Sequence, residues 1–121
     1  MGSTIFVVDD DEMILRQAEF ILGREGFVVE KYESGPRCLI ALKEKKPDLI
    51  LLDIEMIPMD GIATLCEIRG MQSVADVPVM FITSSLDSER EKDASGLGAV
   101  DYVIKPFIPK DLVDRVKNIV T

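Results

Sequence analysis

The sequence predicts an α/β fold, a three-layer α/β/α sandwich built on a five-stranded parallel sheet. Two observations predict it. Short apolar runs, Ile5–Val8, Leu49–Leu52, Val79–Ile82 and Tyr102–Ile104, stand between turn signals, and such runs read as strands buried on both faces, the kind a parallel sheet uses. Between them apolar residues recur at helical spacing, so β and α alternate five times along the chain. Right-handed crossovers then place helices on both faces of the sheet.

The elements follow in order. After the first run, Ile14, Leu15, Ala18, Ile21 and Leu22 keep helical spacing and Gly26 marks the stop. Phe27–Tyr32 is a second, weaker strand. Ser34-Gly35-Pro36 opens a helix with Cys38, Leu39 and Leu42 on one face, closed by Lys45-Lys46-Pro47. Asp60-Gly61 introduces a helix carrying Ile62, Leu65, Cys66 and Ile68. The segment Leu86–Leu97 is rich in charged and hydroxyl residues, with Leu86, Ala94 and Leu97 to bury; as a helix it is loosely anchored and locally unstable. Pro109 suits a helix start, where its missing N–H costs nothing, and Leu112, Val113, Val116, Ile119 and Val120 form the stripe that follows.

At 121 residues the chain is expected to be one domain over 1–121, with residues 1–3 a cloning remnant or a disordered start. Hydrophobic residues make up 47%, too many for a disordered chain, and no apolar run reaches the ~18 residues of a membrane helix. No basic region precedes an apolar stretch at the N-terminus, so no signal peptide is expected. Cys38 and Cys66 are far apart, in no metal or redox spacing, and both are expected as small core hydrophobes in a reducing cytoplasm. The net charge of −8 argues against direct nucleic-acid binding, which needs a basic face. Histidine is absent, which removes Ser-His-Asp and Cys-His catalysis and histidine-bearing zinc sites.

Each strong apolar run ends in a polar group: Asp9-Asp10 after the first, Asp53 after the third, Thr83 after the fourth and Lys105-Pro106 after the fifth. In open α/β sheets the carboxyl ends of the strands share one edge, and ligands bind there. Aspartates after strands are often turn formers or helix caps, and for Asp11 and Asp60 that reading is the better one. Asp9, Asp10 and Asp53 together are different, because clustered carboxylates raise one another's pKa unless a cation neutralises them. Mg2+ prefers one or two carboxylates, waters and phosphate oxygens. With no histidine base and no thiol in reach, the nucleophile left is a carboxylate, able to hold a phosphoryl group as an acyl phosphate. Phosphoryl transfer then needs charge neutralisation on the oxygens, for which Mg2+ on Asp10, the Lys105 ammonium and the Thr83 hydroxyl are the available groups. Taken singly, a lysine or threonine in such places is ordinary packing; jointly, on one sheet edge, they are a site.

From about Thr4 to the C-terminus these residues resemble the receiver (phosphoacceptor) domain of two-component response regulators. The matching stretches are Val7–Asp11 (VVDDD), Asp48–Asp53 (DLILLD), Met59–Gly61 (MDG), Pro78–Ser84 (PVMFITS), Gly98-Ala99 and Asp101–Phe107 (DYVIKPF). The resemblance implies a flavodoxin-like doubly wound sheet of strand order 2-1-3-4-5. It implies that Asp53 is the phosphoacceptor, that Asp10, Asp53 and the backbone carbonyl of Glu55 bind Mg2+ (with Mn2+ as a substitute), and that Asp9 holds a metal-bound water. Lys105 and Thr83 would contact the phosphoryl group, Lys105-Pro106 would be a cis peptide, and Tyr102 would be the aromatic that turns inward as Thr83 is drawn to the phosphoryl group. The side chains of Glu55 and Ser85 would flank the pocket.

One position departs from the pattern: proline, usual four residues after the phosphoacceptor, is replaced by Ile57, and Pro58 follows. That moves the fixed φ by one residue and alters the expected path of the Glu55–Met59 loop. The expected partners are a histidine kinase or a histidine phosphotransfer protein, with output through the face of the Leu86–Leu97 helix, the Tyr102 strand and the Ile108–Val120 helix, which is also an expected homodimer surface. The expected role is a signalling switch rather than an enzyme. Two other readings are a phosphorylation-independent interaction module of the same fold, and a haloacid-dehalogenase-like phosphatase using the Asp-x-Asp within Asp9–Asp11. The phosphatase reading leaves Asp53 idle and finds Met13 where that family has Thr or Val.

Overall fold

The structure, a computed structural model, describes residues 2–84, 96 and 98–120. In chain order its elements are β1 (Thr4–Val8), α1 (Glu12–Gly23), β2 (Val28–Tyr32), α2 (Gly35–Leu42), β3 (Leu49–Asp53), α3 (Gly61–Arg69), β4 (Val79–Thr83), β5 (Asp101–Ile104) and α4 (Pro109–Ile119). The expected helix over Leu86–Leu97 lies outside the described residues apart from Gly96, and so does Ser85. The strands form one five-stranded sheet of order β2-β1-β3-β4-β5, and every neighbouring pair is parallel.

The apolar runs explain the sheet. β3 and β4 are buried along their whole length, as central strands covered on both faces must be. The pleat sorts their side chains into two cores. Phe6, Val8, Ile50, Leu52, Val79 and Phe81 pack under α2 and α3 with Cys38, Leu42, Leu65 and Ile68. Ile5, Val7, Leu49, Leu51, Met80, Ile82 and Val103 pack under α1 and α4 with Ile14, Leu15, Ala18, Leu22, Leu112 and Val116.

Local chemistry sets the helix ends. Asp11 caps α1 by accepting from the Met13 N–H, Ser34 caps α2 by accepting from Arg37, and Asp60 caps α3 by accepting from Ala63. The second helix ends at Leu42, before Lys45–Pro47, in backbone turns from Lys43, Glu44 and Lys45 onto Ile40 and Ala41. The expectation for Cys66 is corrected: Cys38 is buried, but Cys66 is exposed. On α3 the inward face is Gly61, Thr64, Leu65 and Ile68, and residue 66 stands about 100° round the helix from Leu65. Among the described residues no helix is long and apolar enough to cross a membrane.

Candidate functional site

Parallel register brings the carboxyl ends of the strands to one edge. Val8 pairs with Leu52, Asp53 with Ile82 and Thr83 with Ile104, so the residues that end or follow these strands are neighbours although far apart in sequence. The pleat divides them. Asp53 and, by continued alternation, Asp9 and Lys105 fall on the α1/α4 side, whereas Thr83 and Tyr102 fall on the α2/α3 side. Asp53 at the end of its strand therefore meets Asp9 and Lys105, each the first residue after its own.

Asp9 is fully buried. Its Oδ1 accepts from the Asp11 N–H at 2.9 Å, and its Oδ2 accepts from the Lys105 ammonium at 3.1 Å. Asp53 is 1% exposed. Its Oδ1 accepts from the Glu55 N–H at 3.2 Å. Its Oδ2, which no hydrogen bond satisfies, lies 3.3 Å from Lys105 Nζ in an ion pair. Asp10 is exposed and completes the group: one carboxylate oxygen from each of Asp9, Asp10 and Asp53 lies within 4.8 Å of the others. Two of the three carboxylates, Asp9 and Asp53, thus share one ammonium.

The electrostatics follow. Burial, and then the charge of Asp9, push the Asp53 carboxyl up to about 7 against the opposing pull of Lys105. Burial likewise raises Asp9. Burial acts to lower Lys105, but the combined charges of Asp53 and Asp9 outweigh it and hold the lysine above its usual range. A buried carboxylate oxygen held by an ion pair without a hydrogen bond, and two carboxyls held high, mark a site short of positive charge. A hard divalent cation fits that donor set.

The remaining expected residues are placed as follows. Thr83 is buried at the end of β4, and its carbonyl accepts from the Lys105 N–H at 2.9 Å. Tyr102 is half-buried, its ring stacked on Phe81 with centroids 6.3 Å apart. Glu55 is exposed, with its main chain against the Asp53 carboxylate. Lys105–Pro106 is cis, and so is Ile57–Pro58, which the sequence did not lead us to expect. Ile57 itself is 81% exposed.

Gly61 is a site-forming residue whose reason the sequence reading missed. Its N–H donates to the Ile54 carbonyl at 2.8 Å, and a Cβ there would collide with the Asp53 carbonyl oxygen and stand 2.8 Å from Ile54 Cα. The loop after β3 folds back that closely, and only glycine leaves the room. The Asp60-Gly61 pair was legible as a helix start, not as a contact with the strand it follows.

A family model described as the response regulator receiver domain matches residues 5–117. The DNA-binding response regulator MtrA of Mycolicibacterium smegmatis is 38% identical over 117 residues, covering 97% of this chain and 50% of that protein. The transcriptional regulatory protein GltR of Pseudomonas aeruginosa is 36% identical over 116 residues, covering 96% of this chain and 48% of that protein. This chain therefore spans about half the length of the curated relatives it matches. The name of the first describes that protein as DNA-binding, so the expectation that nucleic acid is not a partner finds no support there. Among solved structures, the N-terminal domain of a response regulator receiver protein from Methanoculleus marisnigri JR1 is 36% identical with a TM-score of 0.81, covering 98% of this chain and 97% of that one. The chemotaxis protein CheY4 of Vibrio cholerae shares the fold, with a TM-score of 0.94 at 22% identity over 99% of this chain and 100% of that one. The match runs through both the Asp9–Asp10 and the Lys105 ends of the acidic edge, and the chain belongs to the receiver domains of response regulators.

Proposed function

We propose that this receiver takes a phosphoryl group on Asp53 and uses it as a signalling switch. One observation carries the reading: the Asp53 carboxylate, with an oxygen that no hydrogen bond satisfies, faces an ammonium and two further carboxylates at the ligand-binding edge of the sheet. In the transfer an Asp53 oxygen attacks phosphorus of a phosphohistidine on another protein. The P–O bond forms, the P–N bond breaks, and the histidine nitrogen leaves with its electron pair and takes up a proton. The donor histidine lies outside these 121 residues, which contain none. A small acyl phosphate can serve as donor in the same way.

Asp10, Asp53 and the Glu55 carbonyl would hold Mg2+, with Asp9 bound through a water. The ion would supply charge neutralisation on the phosphoryl oxygens. Lys105 has a second task. Asp53 is almost closed off, and the lysine side chain, 18% exposed, is the group that pairs with its Oδ2. Movement of Nζ from that oxygen to a phosphoryl oxygen opens the nucleophile and neutralises the incoming charge in one displacement. Thr83, on the other side of the pleat, would bind another phosphoryl oxygen and pass the change to Tyr102. Support for a protein donor comes from an apolar groove of about 680 Å³ between α1 and α4, reaching Phe107, two residues after Lys105 in the chain. Met13 and Phe20 stand 66% and 65% exposed along it.

Acetyl phosphate and Mg2+ followed by intact mass test the reading. One phosphoryl group is expected on the wild-type chain and none on Asp53→Asn. A mass gain that persists in the variant would place the nucleophile elsewhere.

A further inference from the structure

Lys105 reaches the carboxylates from the least secured strand of the sheet. Among the described residues β5, four residues long, stands at the edge of the sheet and pairs with β4 alone. Its ladder opens with the Val100 N–H on the Val79 carbonyl and closes with the Lys105 N–H on the Thr83 carbonyl, each at 2.9 Å. A short edge strand held on one side has few bonds to resist sliding along its neighbour.

At the opposite end from the site, one side chain joins the lead-ins of β4 and β5. Arg69, the last residue of α3, donates from Nη1 to the carbonyls of Ala75 at 3.2 Å and Val77 at 2.9 Å, and from Nη2 to the carbonyl of Gly98 at 3.4 Å. Val77 precedes β4, and Gly98 precedes β5. Gly98 has φ +86°, a turn conformation that favours glycine, and it presents to the Arg69 fork the carbonyl that opens the way into β5. Among the described residues no carboxylate lies within ion-pair distance of the guanidinium, and burial lowers its pKa. Among the described residues its donors go to main-chain oxygens, with the more distant charge of Asp76 also acting on it. The planar fork suits that use, because it fixes the angles between its donors where an ammonium does not.

We propose that Arg69 is a positioning residue for phosphoryl transfer: by tying the start of β5 to the start of β4, it sets where Lys105 arrives relative to Asp53. This rests on the phosphoacceptor reading above. The metal ligands belong to β1, β3 and the loops after them, which Arg69 does not touch. Loss of the clamp therefore separates two quantities that general loosening of the protein would move together. A displacement of under 1 Å at Lys105 affects the rate, while the Asp9, Asp10 and Asp53 cluster stays in place.

The test compares wild type, Arg69→Lys and Arg69→Met, each verified as folded by circular dichroism at the assay temperature. Mg2+ affinity is measured by calorimetry, and the initial rate of phosphorylation by acetyl phosphate at saturating Mg2+ is measured by intact mass. For Arg69→Met the Mg2+ Kd is expected to stay within about twofold while the rate falls about tenfold, in line with the cost of small misplacements at a reacting centre. Arg69→Lys, keeping the charge but not the fork, is expected to fall between. If Arg69→Met does not fold, Arg69→Lys decides alone by the same split. A wild-type rate in a folded variant overturns the proposal, and so does a loss of Mg2+ affinity in step with the rate. A wild-type chain that takes up no phosphoryl group would instead defeat the phosphoacceptor reading.

Discussion

Asp53 gives up water on folding and gains Asp9 as a like-charged neighbour, and Lys105 offsets only part of that cost. Its carboxyl is held at about 7, above the usual 3.8. The sign of the consequence is fixed by linkage. An acid whose folded pKa is raised binds its proton more tightly in the native state, so stability falls as pH rises from about 3.8 and the loss is complete above about 7. Asp53→Asn, neutral at every pH, escapes that loss. In Mg2+-free buffer at pH 8 the variant is expected to be more stable than wild type by on the order of 2 kcal/mol. The gap should close toward pH 4. Urea unfolding with a chelator at the two pH values measures it. An Asp53→Asn chain less stable than wild type at pH 8 would mean that the Lys105 pairing outweighs burial and the Asp9 repulsion. The residue proposed to carry the chemistry thus destabilises the fold it sits in, as strained functional groups do.

At the level of elements, three consecutive aspartates follow β1 and do different work. Asp11 caps α1 through the Met13 N–H, Asp9 pairs with the lysine, and Asp10 faces solvent at the acidic cluster. Asp11→Ala should cost about 1 kcal/mol and leave Mg2+ affinity unchanged. Asp10→Ala should do the reverse, with Mg2+ binding lost and stability nearly kept. Calorimetric Mg2+ titration and urea unfolding on both variants check the pair; equal Mg2+ loss in both would erase the distinction. The separation of Asp11 from Asp9 and Asp10 was legible in the sequence, because a cap is read from its place before an apolar helical pattern and a cluster from strands ending together; the pairing of Asp9 with Lys105 was not. The four strong strands were legible because short apolar runs such as Leu49–Leu52 and Val79–Ile82 are bounded by turn signals too close together for a helix. Cys66 was not, because on a helix as short as α3 the apolar residues do not define one stripe, and Thr64 takes an inward position that an apolar count gives to cysteine. The Arg69 contacts and the Gly61 close approach were out of reach too. Both depend on how loops return to strand ends, which periodicity does not encode.

For the whole molecule the net charge of −8 raises an ambiguity that a stability measurement has to separate. Any salt screens the self-repulsion of an acidic chain, over a Debye length of about 8 Å at 0.15 M, so a melting temperature that rises with magnesium chloride is not by itself a sign of a bound ion. Specific binding adds a term that screening lacks. Mass action on the native state alone contributes about 2.7 kcal/mol at a hundredfold excess of ligand over Kd. For a chain of this size that is roughly 10 °C in melting temperature. The gain is expected with total ionic strength held at 0.15 M by exchanging sodium for magnesium chloride. It is expected to vanish in Asp10→Ala, whose net charge of −7 follows from removing one carboxylate from −8 and whose screening response is nearly that of the wild type. A gain that survives in Asp10→Ala, or that sodium chloride reproduces, would assign the effect to diffuse charge and leave the acidic edge without its ion.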